Sequence, residues 1–292
     1  MENRAESDDP FRPPQSGPEP QPELRREPGA PLEWDPLEVY TFAWNALRAH
    51  PLTVVAFLLA MIVQFSVSLA MEIVALALEI DIQTPFTSNW YTFQGVNYVL
   101  ALPLAAYVNL GMARFALELC RGRRPGVERM FATEGYLTSL LASLLAQVAV
   151  PVLFAVLAGL TVGPGAALYF ATDGDPLSWL VIGVGVLVWL AGVVYGSVRI
   201  LWWMSAIAYG ERDALRAFRV AIERSSGQFW PMLAVLLAMI PLMLIALFLG
   251  LCPGLFVGML ATVPAAVALY TTAAMGGFLA RSGERPVLAT RE

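Results

Sequence analysis

Few side chains in this 292-residue chain are of the types that enzymes use for chemistry. His50 is the only histidine, and neither Cys120 nor Cys252 belongs to a zinc-type Cys/His spacing. The long apolar stretches contain no paired carboxylates, no histidine cluster and no nucleophile motif. The sequence therefore predicts no catalytic residue, no metal ligand and no cofactor.

Two amide side chains are the best candidates for a polar site. Gln64 lies twelve residues into one long apolar stretch and Gln147 about ten into another. At about 1.5 Å per residue, both fall near the middle of a bilayer if these stretches are membrane-spanning helices. A buried interhelical hydrogen bond, worth about 0.6 kcal/mol, is the commoner explanation of such residues. The alternative is a mid-membrane polar pair that contacts a substrate.

The composition indicates a membrane protein. Hydrophobic residues make up 58% of the chain and charged residues only 14%, against about 25% in an ordinary soluble domain. A membrane-spanning helix needs about 20 apolar residues. Six stretches meet that length, at about 52–72, 96–117, 137–160, 178–200, 229–250 and 255–279. The predicted fold is an all-α integral membrane protein with six transmembrane helices.

The basic residues, all of them arginine, predict the orientation. They fall before the first span, around the second and fourth connections and after the last span. The connections at 81–95, 161–177 and 251–254 contain none. Basic residues close to span ends stay on the cytoplasmic side. We therefore expect a multipass protein of the inner (plasma) membrane with both termini cytoplasmic. Cys120 should then react with a thiol reagent only after permeabilisation, and Cys252 only from outside.

Three regions are expected along the chain. Residues 1–34 are rich in proline and acid, which predicts a disordered cytoplasmic tail and no cleavable signal peptide. Residues 35–280 form the membrane domain, and 281–292 form a cytoplasmic C-terminal tail.

Each pair of spans is preceded by a segment that could lie on the membrane surface. In "WDPLEV", Asp35 is a good N-cap, Pro36 suits the first helical position, and Trp34 and Val39 are spaced as a hydrophobic staple. The helix 36–49 and the segment "ERDALRAFRVAIERSSGQFW" both carry apolar stripes, and "PGVERMF" at 125–131 is a shorter version. The predicted stripes are Leu37, Tyr40, Trp44 and Leu47, and Leu215, Phe218, Ala221 and Ile222. The prediction is three helical hairpins, each preceded by a cytoplasmic amphipathic surface helix.

Internal similarity supports this three-unit arrangement. "LLAMI" occurs at 58–62 and again at 236–240, and "FALELCRGRRP" at 115–125 parallels "GGFLARSGERP" at 276–286. Units that begin and end on the same side of the membrane form a parallel repeat.

The segment 195–240, "YGSVRILWWMSAIAYGERDALRAFRVAIERSSGQFWPMLAVLLAMI", resembles a known family. It is similar to the multispan bacterial proteins that include the membrane domain of glycerophosphodiester phosphodiesterases and their uncharacterised relatives. The shared element is an arginine at a span's inner end, an Ala-rich amphipathic helix, then Ser, Gly and an aromatic, here Arg199, Ala214, Ala217, Ser225, Gly227 and Trp230. The resemblance implies the fold and a membrane location. It does not imply diesterase activity, because this chain has no room for the soluble catalytic barrel of those enzymes.

The predicted function is that of a non-enzymatic bacterial inner-membrane protein that scaffolds, assembles or assists transport of envelope components. The alternative is a small-molecule or lipid transporter or channel that uses the polar pair. A membrane enzyme is the third class, and the lack of catalytic motifs weighs against it. Membrane lipids, other membrane proteins or a second copy of the chain are the expected partners, and nucleic acid is not.

Overall fold

The computed structural model describes residues 32, 34–82, 84, 87–251, 256–284 and 286–287. In this part of the chain all regular secondary structure is helical, and no named strand occurs. The predicted disordered tail, apart from its last few residues, most of the C-terminal tail and Cys252 lie outside the described residues. The α-helices are α1 (Pro36–Ala49), α2 (Leu52–Ala77), α3 (Ser88–Cys120), α4 (Tyr136–Thr161), α5 (Gly163–Ala171), α6 (Pro176–Ile200), α7 (Trp203–Tyr209), α8 (Ala214–Arg224), α9 (Phe229–Leu251) and α10 (Phe256–Arg281). A 3-10 helix, Val127–Phe131, precedes α4.

Five helical segments are long and apolar enough to cross a membrane. They are Leu52–Ala77, Ser88–Cys120, Tyr136–Thr161, Pro176–Tyr209 and Thr262–Arg281. They coincide with the first four predicted spans and the sixth, and they fit a multipass membrane protein. The fifth predicted span, 229–250, falls on α9. Within α9, the apolar helix whose residues are fully described is Phe229–Pro241, so the six-span count stays a prediction.

Helix α1 has the predicted bounds and the predicted start. Asp35 is the N-cap, its side chain accepts a hydrogen bond from the Leu37 amide, and proline occupies the first turn. Trp34 packs against the cluster formed by Val39, Ala43 and Ala273, which fits the predicted staple. The predicted stripe is only partly correct, because α1 buries Val39, Ala43, Ala46 and Leu47 and leaves Leu37 73% exposed.

The other two predicted surface segments also form helices. α8 is capped by the Asp213 side chain, which accepts from the Arg216 amide. It buries Ala217 and Ala221, whereas Leu215 and Ile222 are exposed. The 3-10 helix approaches α3 so closely that a Cβ on Gly111 would lie 1.9 Å from the Met130 carbonyl oxygen. Whether these helices lie on a membrane surface stays a prediction.

The three short helices pack in a regular order. The 3-10 helix contacts α2 and α3, α8 contacts α4, α6 and α7, and α1 contacts α9 and α10. The 3-10 helix and α8 therefore each pack on helices that precede them in the chain. Helix α1, which comes first in the chain, packs instead on the last two helices, so the order of packing is cyclic.

The core lies at one end of the bundle. On α3, residues 110–120 are all buried, whereas none of residues 88–101 is buried. The buried residues of α4 all lie within its first eight positions, namely Thr138, Ser139, Ala142 and Ser143. We call this end, where α3, α7 and α10 terminate and α4 begins, the arginine-rich end. The opposite end, which carries Asp81, Asp173 and Asp175, is the acidic end.

The three helices that terminate at the arginine-rich end share one C-terminal cap. Each ends at a glycine with positive φ: Gly122 (70°), Gly210 (127°) and Gly283 (79°). The next residue donates its backbone N–H to the carbonyl five positions back in every case, which is a Schellman-type closure. These bonds, each 3.0 Å long, are Arg123 to Glu118, Glu211 to Ala206 and Glu284 to Leu279.

Helices α4 and α6 form a hairpin through small residues. A Cβ on Gly185 would lie 2.2 Å from the Thr161 carbonyl oxygen, and a Cβ on Gly192 2.5 Å from a Leu157 methyl carbon. The Trp189 Nε1 donates to the Phe154 carbonyl at 2.9 Å. The glycines of α6 thus allow the close backbone approach that small residues provide in membrane helices.

Candidate functional site

A polar cavity of about 630 Å³ opens at the arginine-rich end. It lies between the end of α3, the turn that leads into α4 and the link from α7 to α8. Its charged lining consists of four arginines and three glutamates: Arg114, Arg121, Arg129 and Arg212, and Glu118, Glu134 and Glu211. Helix caps position most of them, because the Gly122 and Gly210 turns redirect the chain around the opening.

Glu118 is the central acid of this group. Its carboxylate lies 3.0 Å from the Arg123 guanidinium and 3.6 Å from that of Arg129. Arg114 lies one turn earlier on the same helix, a spacing that permits an ion pair, but no ion pair joins it to Glu118 among the described residues. The chain reverses at Gly122 and brings Arg123 back over Glu118, which local spacing on a helix does not reveal.

Arg114 is buried and has no carboxylate at ion-pair distance, although Glu134 attracts it electrostatically from further away. It is 8% exposed, and its Nη1 donates to the Ala132 carbonyl at 2.9 Å. Among the described residues, no acidic group lies within 4.0 Å of its guanidinium. Its Nη2 lies 3.5 Å from the position that a Cβ on Gly135 would take.

Gly135 is also the N-cap of α4, and it has a left-handed backbone with φ of 62°. A glycine has no side chain to accept from the first amides of the helix. The backbone N–H groups of Leu137 and Thr138 have no acceptor within the described part of the chain. The positive end of α4 and the Arg114 guanidinium therefore face the same part of the cavity.

The segment after α10 folds back over the neighbouring helix ends. We call its described residues, 282–284 and 286–287, the C-terminal clasp. The Glu284 carboxylate lies 3.3 Å from Nε of Arg121 and accepts from the Tyr209 hydroxyl at 2.6 Å. The Val287 amide donates to the Cys120 carbonyl at 2.8 Å. The clasp thus joins the ends of α3, α7 and α10.

Arg224, the last residue of α8, also contacts the clasp. Its guanidinium lies over the Phe278 ring at 4.3 Å and over the Tyr209 ring at 5.3 Å, and it donates to the Ser282 hydroxyl. Burial lowers the pKa of Arg224, and nearby Tyr209, Glu284 and Glu223 oppose that shift. The side chain remains a cation at neutral pH because an arginine begins far above it.

The structure does not bring the predicted polar pair together. Gln64 lies on α2, which packs mainly on α3 and α10, whereas Gln147 lies on α4, which packs mainly on α3 and α6. Within the described residues no hydrogen bond joins the two side chains, and the buried Gln147 Oε1 has no partner. A role for either residue in binding stays a prediction.

The Cys120 side chain is less accessible than the sequence predicts. It is 0% exposed, and its Sγ donates to the Thr272 carbonyl at 3.5 Å. A thiol in that position is not open to a reagent from either side, so the expected labelling after permeabilisation is corrected. The sequence placed the residue at a span end but did not reveal that its side chain packs against α10.

Comparison of the chain with known protein families, curated proteins and solved structures finds no match. The resemblance of residues 195–240 to phosphodiesterase membrane domains therefore stays a prediction. The geometry of the chain itself has to support any function.

Proposed function

We propose that this chain is a six-span bacterial inner-membrane protein with both termini in the cytoplasm. It catalyses no reaction and acts as a scaffold for the assembly or transport of envelope components. The observation that carries this proposal is the uneven packing of the bundle. The arginine-rich end is held together by a dense core and the C-terminal clasp, while the helices towards the acidic end keep most of their surface uncovered.

The uncovered surface is apolar and contains isolated glycines. Leu153 on α4 and Leu187 on α6 are 62% and 67% exposed. Gly159 and Gly183 lie on the same two helices with no atom within 4 Å of an added Cβ. Lipid-facing surfaces have no need of small residues, whereas helix–helix contacts use them. This favours lateral contact of the α4–α6 hairpin with another apolar helix.

Two further features support the arrangement as three similar units. The ends of α3, α7 and α10 have the same glycine cap, and the three short helices pack in a cyclic order. A duplicated hairpin with a preceding surface helix accounts for both, and the resemblance of 195–240 implies the same kind of membrane domain.

Site-specific photo-crosslinking tests the scaffold role. A photoreactive amino acid in place of Gly183 should crosslink to a discrete membrane protein or to a second copy of the chain in native membranes. The same amino acid in place of Leu69, an exposed position on α2, is the matched control and should react with lipid alone. Lipid adducts alone at both positions would contradict a scaffold that works through this hairpin.

A transporter is the second candidate, and the unpartnered Gln147 Oε1 is the observation that favours it. A buried polar atom without a partner is a group that a bound molecule or water can satisfy. If Gln64 and Gln147 line a pathway, changing both to leucine should spare folding and insertion but abolish function. A stable, inserted and inactive double variant would place transport ahead of scaffolding.

A further inference from the structure

We propose that the cavity at the arginine-rich end binds a phosphate group, held between the Arg114 guanidinium and the first amides of α4. The proposal does not depend on the scaffold role, because it rests on the charges and hydrogen-bond donors of the cavity alone.

The first step is the balance of charge in the cavity. Arg121 is paired with Glu284, Glu118 is shared by two arginines, and Glu211 lies 3.3 Å from Arg216. Arg114 and Arg212 are left without a carboxylate within 4.0 Å among the described residues. The remaining acid of the lining, Glu134, is exposed; it attracts Arg114 electrostatically but lies more than 4.0 Å from its guanidinium. The cavity thus has a surplus of positive charge around its most buried cation.

The second step is the burial of Arg114. A buried charge that lacks a partner is costly, so buried cations are normally paired or bound to an anion. The Ala132 carbonyl uses only Nη1, and a guanidinium has five N–H donors in a planar fork. The fork matches the oxygens of a phosphate group in two-point contact.

The third step is the uncapped helix start. The amides of Leu137 and Thr138 are free donors at the positive end of a 26-residue helix. Amides at a helix N-terminus bind phosphate because the helix dipole and the donor geometry both favour an anion. Gly135 is the N-cap and also lies beside Nη2 of Arg114, so both sets of donors converge on one place.

The size and position of the cavity fit two sources of phosphate. Its volume of about 630 Å³ lies within the range of about 300–1,000 Å³ usual for small-ligand sites. It opens where spans end, which is where the phosphate of a phospholipid headgroup lies. A free phosphate compound from the aqueous side carries the same chemistry.

Two pairs of variants separate the site from general electrostatics. Arg114→Gln removes the buried charge, and Arg219→Gln, on the exposed face of α8 and outside the cavity, is its control. Gly135→Asp places a carboxylate where the phosphate would bind, and Gly135→Asn is its neutral counterpart. Both residues tolerate the left-handed backbone, and an added Cβ meets nothing closer than 3.5 Å.

Binding is measured on the full-length protein with two probes. Inorganic phosphate is tested by its effect on the thermal-unfolding midpoint, against chloride at equal ionic strength. Phosphatidylglycerol is tested against phosphatidylcholine by retention of lipid after extraction from mixed vesicles. We expect wild type, Arg219→Gln and Gly135→Asn to bind at least one phosphate probe, and Arg114→Gln and Gly135→Asp to bind about tenfold more weakly.

The outcomes are distinct. A response to inorganic phosphate indicates a soluble ligand, and selective retention of phosphatidylglycerol without that response indicates a lipid headgroup; both support the site. Gly135→Asp should also unfold at a higher temperature than Gly135→Asn without phosphate, because it supplies the missing anion. If Arg114→Gln does not fold, the comparison of Gly135→Asp with Gly135→Asn tests the proposal by itself. Failure of wild type to bind either probe, or equal binding by Gly135→Asp and Gly135→Asn, overturns the proposal.

Discussion

The guanidinium of Arg121 lies 3.3 Å from the carboxylate of Glu284, and this contact joins residues 163 positions apart in the chain. Arg121 is the C-cap of α3, and Glu284 follows the glycine cap of α10. The Tyr209 hydroxyl donates to the same carboxylate from the end of α7. One acidic side chain therefore ties three helix ends together at the arginine-rich end.

Replacing Glu284 with glutamine should loosen this junction. The change keeps the shape of the side chain but removes its charge and weakens two hydrogen bonds. Hydrogen bonds to charged groups are worth about 1.5–3 kcal/mol, and this carboxylate is partly exposed, so we expect a loss of about 1–2 kcal/mol in the free energy of unfolding. Thermal or denaturant unfolding in mild detergent measures it.

Arg216→Gln is the matched control. The Arg216–Glu211 ion pair is similar in length, but the arginine side chain is 67% exposed. Exposed ion pairs contribute about 0–1 kcal/mol, so this variant should unfold almost like wild type. Equal losses in the two variants would show that the clasp contact is no stronger than a surface pair.

The sequence predicted the positions of most helices well. The bounds of α1 and its Asp35 cap are local features, since a cap depends on residues within one turn. Long apolar runs likewise predicted the spanning segments without any knowledge of their neighbours. Local rules were therefore sufficient to predict most of the secondary structure.

The sequence did not reveal which faces are buried or which charges pair. The stripe of Leu37 and Trp44 on α1 is exposed because Val39 and Ala43 pack on α10, more than 200 residues later. Glu118 pairs with Arg123 rather than Arg114 because the chain reverses at Gly122. The first outcome depends on tertiary contacts and the second on the turn that follows α3, and the periodicity of the helices encodes neither. The two Arg-rich connections were a signal for the cavity, but they did not show which arginine would be buried.

Two glycines of α6 should respond oppositely to alanine. Gly185→Ala would place a Cβ 2.2 Å from the Thr161 carbonyl oxygen, so α4 and α6 must separate, and we expect a loss of about 1–3 kcal/mol. Gly183→Ala meets nothing within 4 Å, and alanine favours a helix over glycine by up to about 1 kcal/mol. Unfolding of the two variants under identical conditions gives the comparison. A destabilised Gly183→Ala would mean that another chain already contacts this face.

Cysteine labelling tests the orientation, with the buried position of Cys120 taken into account. In a Cys252→Ser background, Cys120 should stay unlabelled until the protein is unfolded, because its side chain is fully covered. Added cysteines at the exposed positions Arg124 and Ala171 then report the two ends of the bundle. We expect an impermeant reagent to label Ala171→Cys in intact cells and Arg124→Cys only after permeabilisation. The reverse pattern would invert the proposed topology.

Tyr40 should make the stability of the protein decrease at alkaline pH. Its hydroxyl donates to the Val235 carbonyl at 2.7 Å, and burial, with a smaller effect from Tyr270, raises the pKa of Tyr40 above its ordinary value. A pKa raised by folding contributes stability that is present below about pH 10 and is lost as pH rises through the folded value. Tyr40→Phe should be about 1 kcal/mol less stable at neutral pH but should lose less stability between about pH 9 and pH 11. Parallel curves for the two proteins would contradict this assignment.

Gln147 offers the sharpest test of what the interior of the bundle does. Its Oε1 is buried without a partner, and an unsatisfied buried polar group costs about 1–3 kcal/mol. Because no hydrogen bond joins it to Gln64, Gln147→Leu removes that cost without stranding another amide. We therefore expect the single variant to be as stable as wild type or more stable by about 1 kcal/mol, as measured by thermal unfolding of the inserted protein. Gln64→Leu is the control, since Gln64 is half-buried on another helix and should change stability little. A clear loss of stability in Gln147→Leu alone would mean that water or a bound molecule satisfies Oε1, and would favour the transporter.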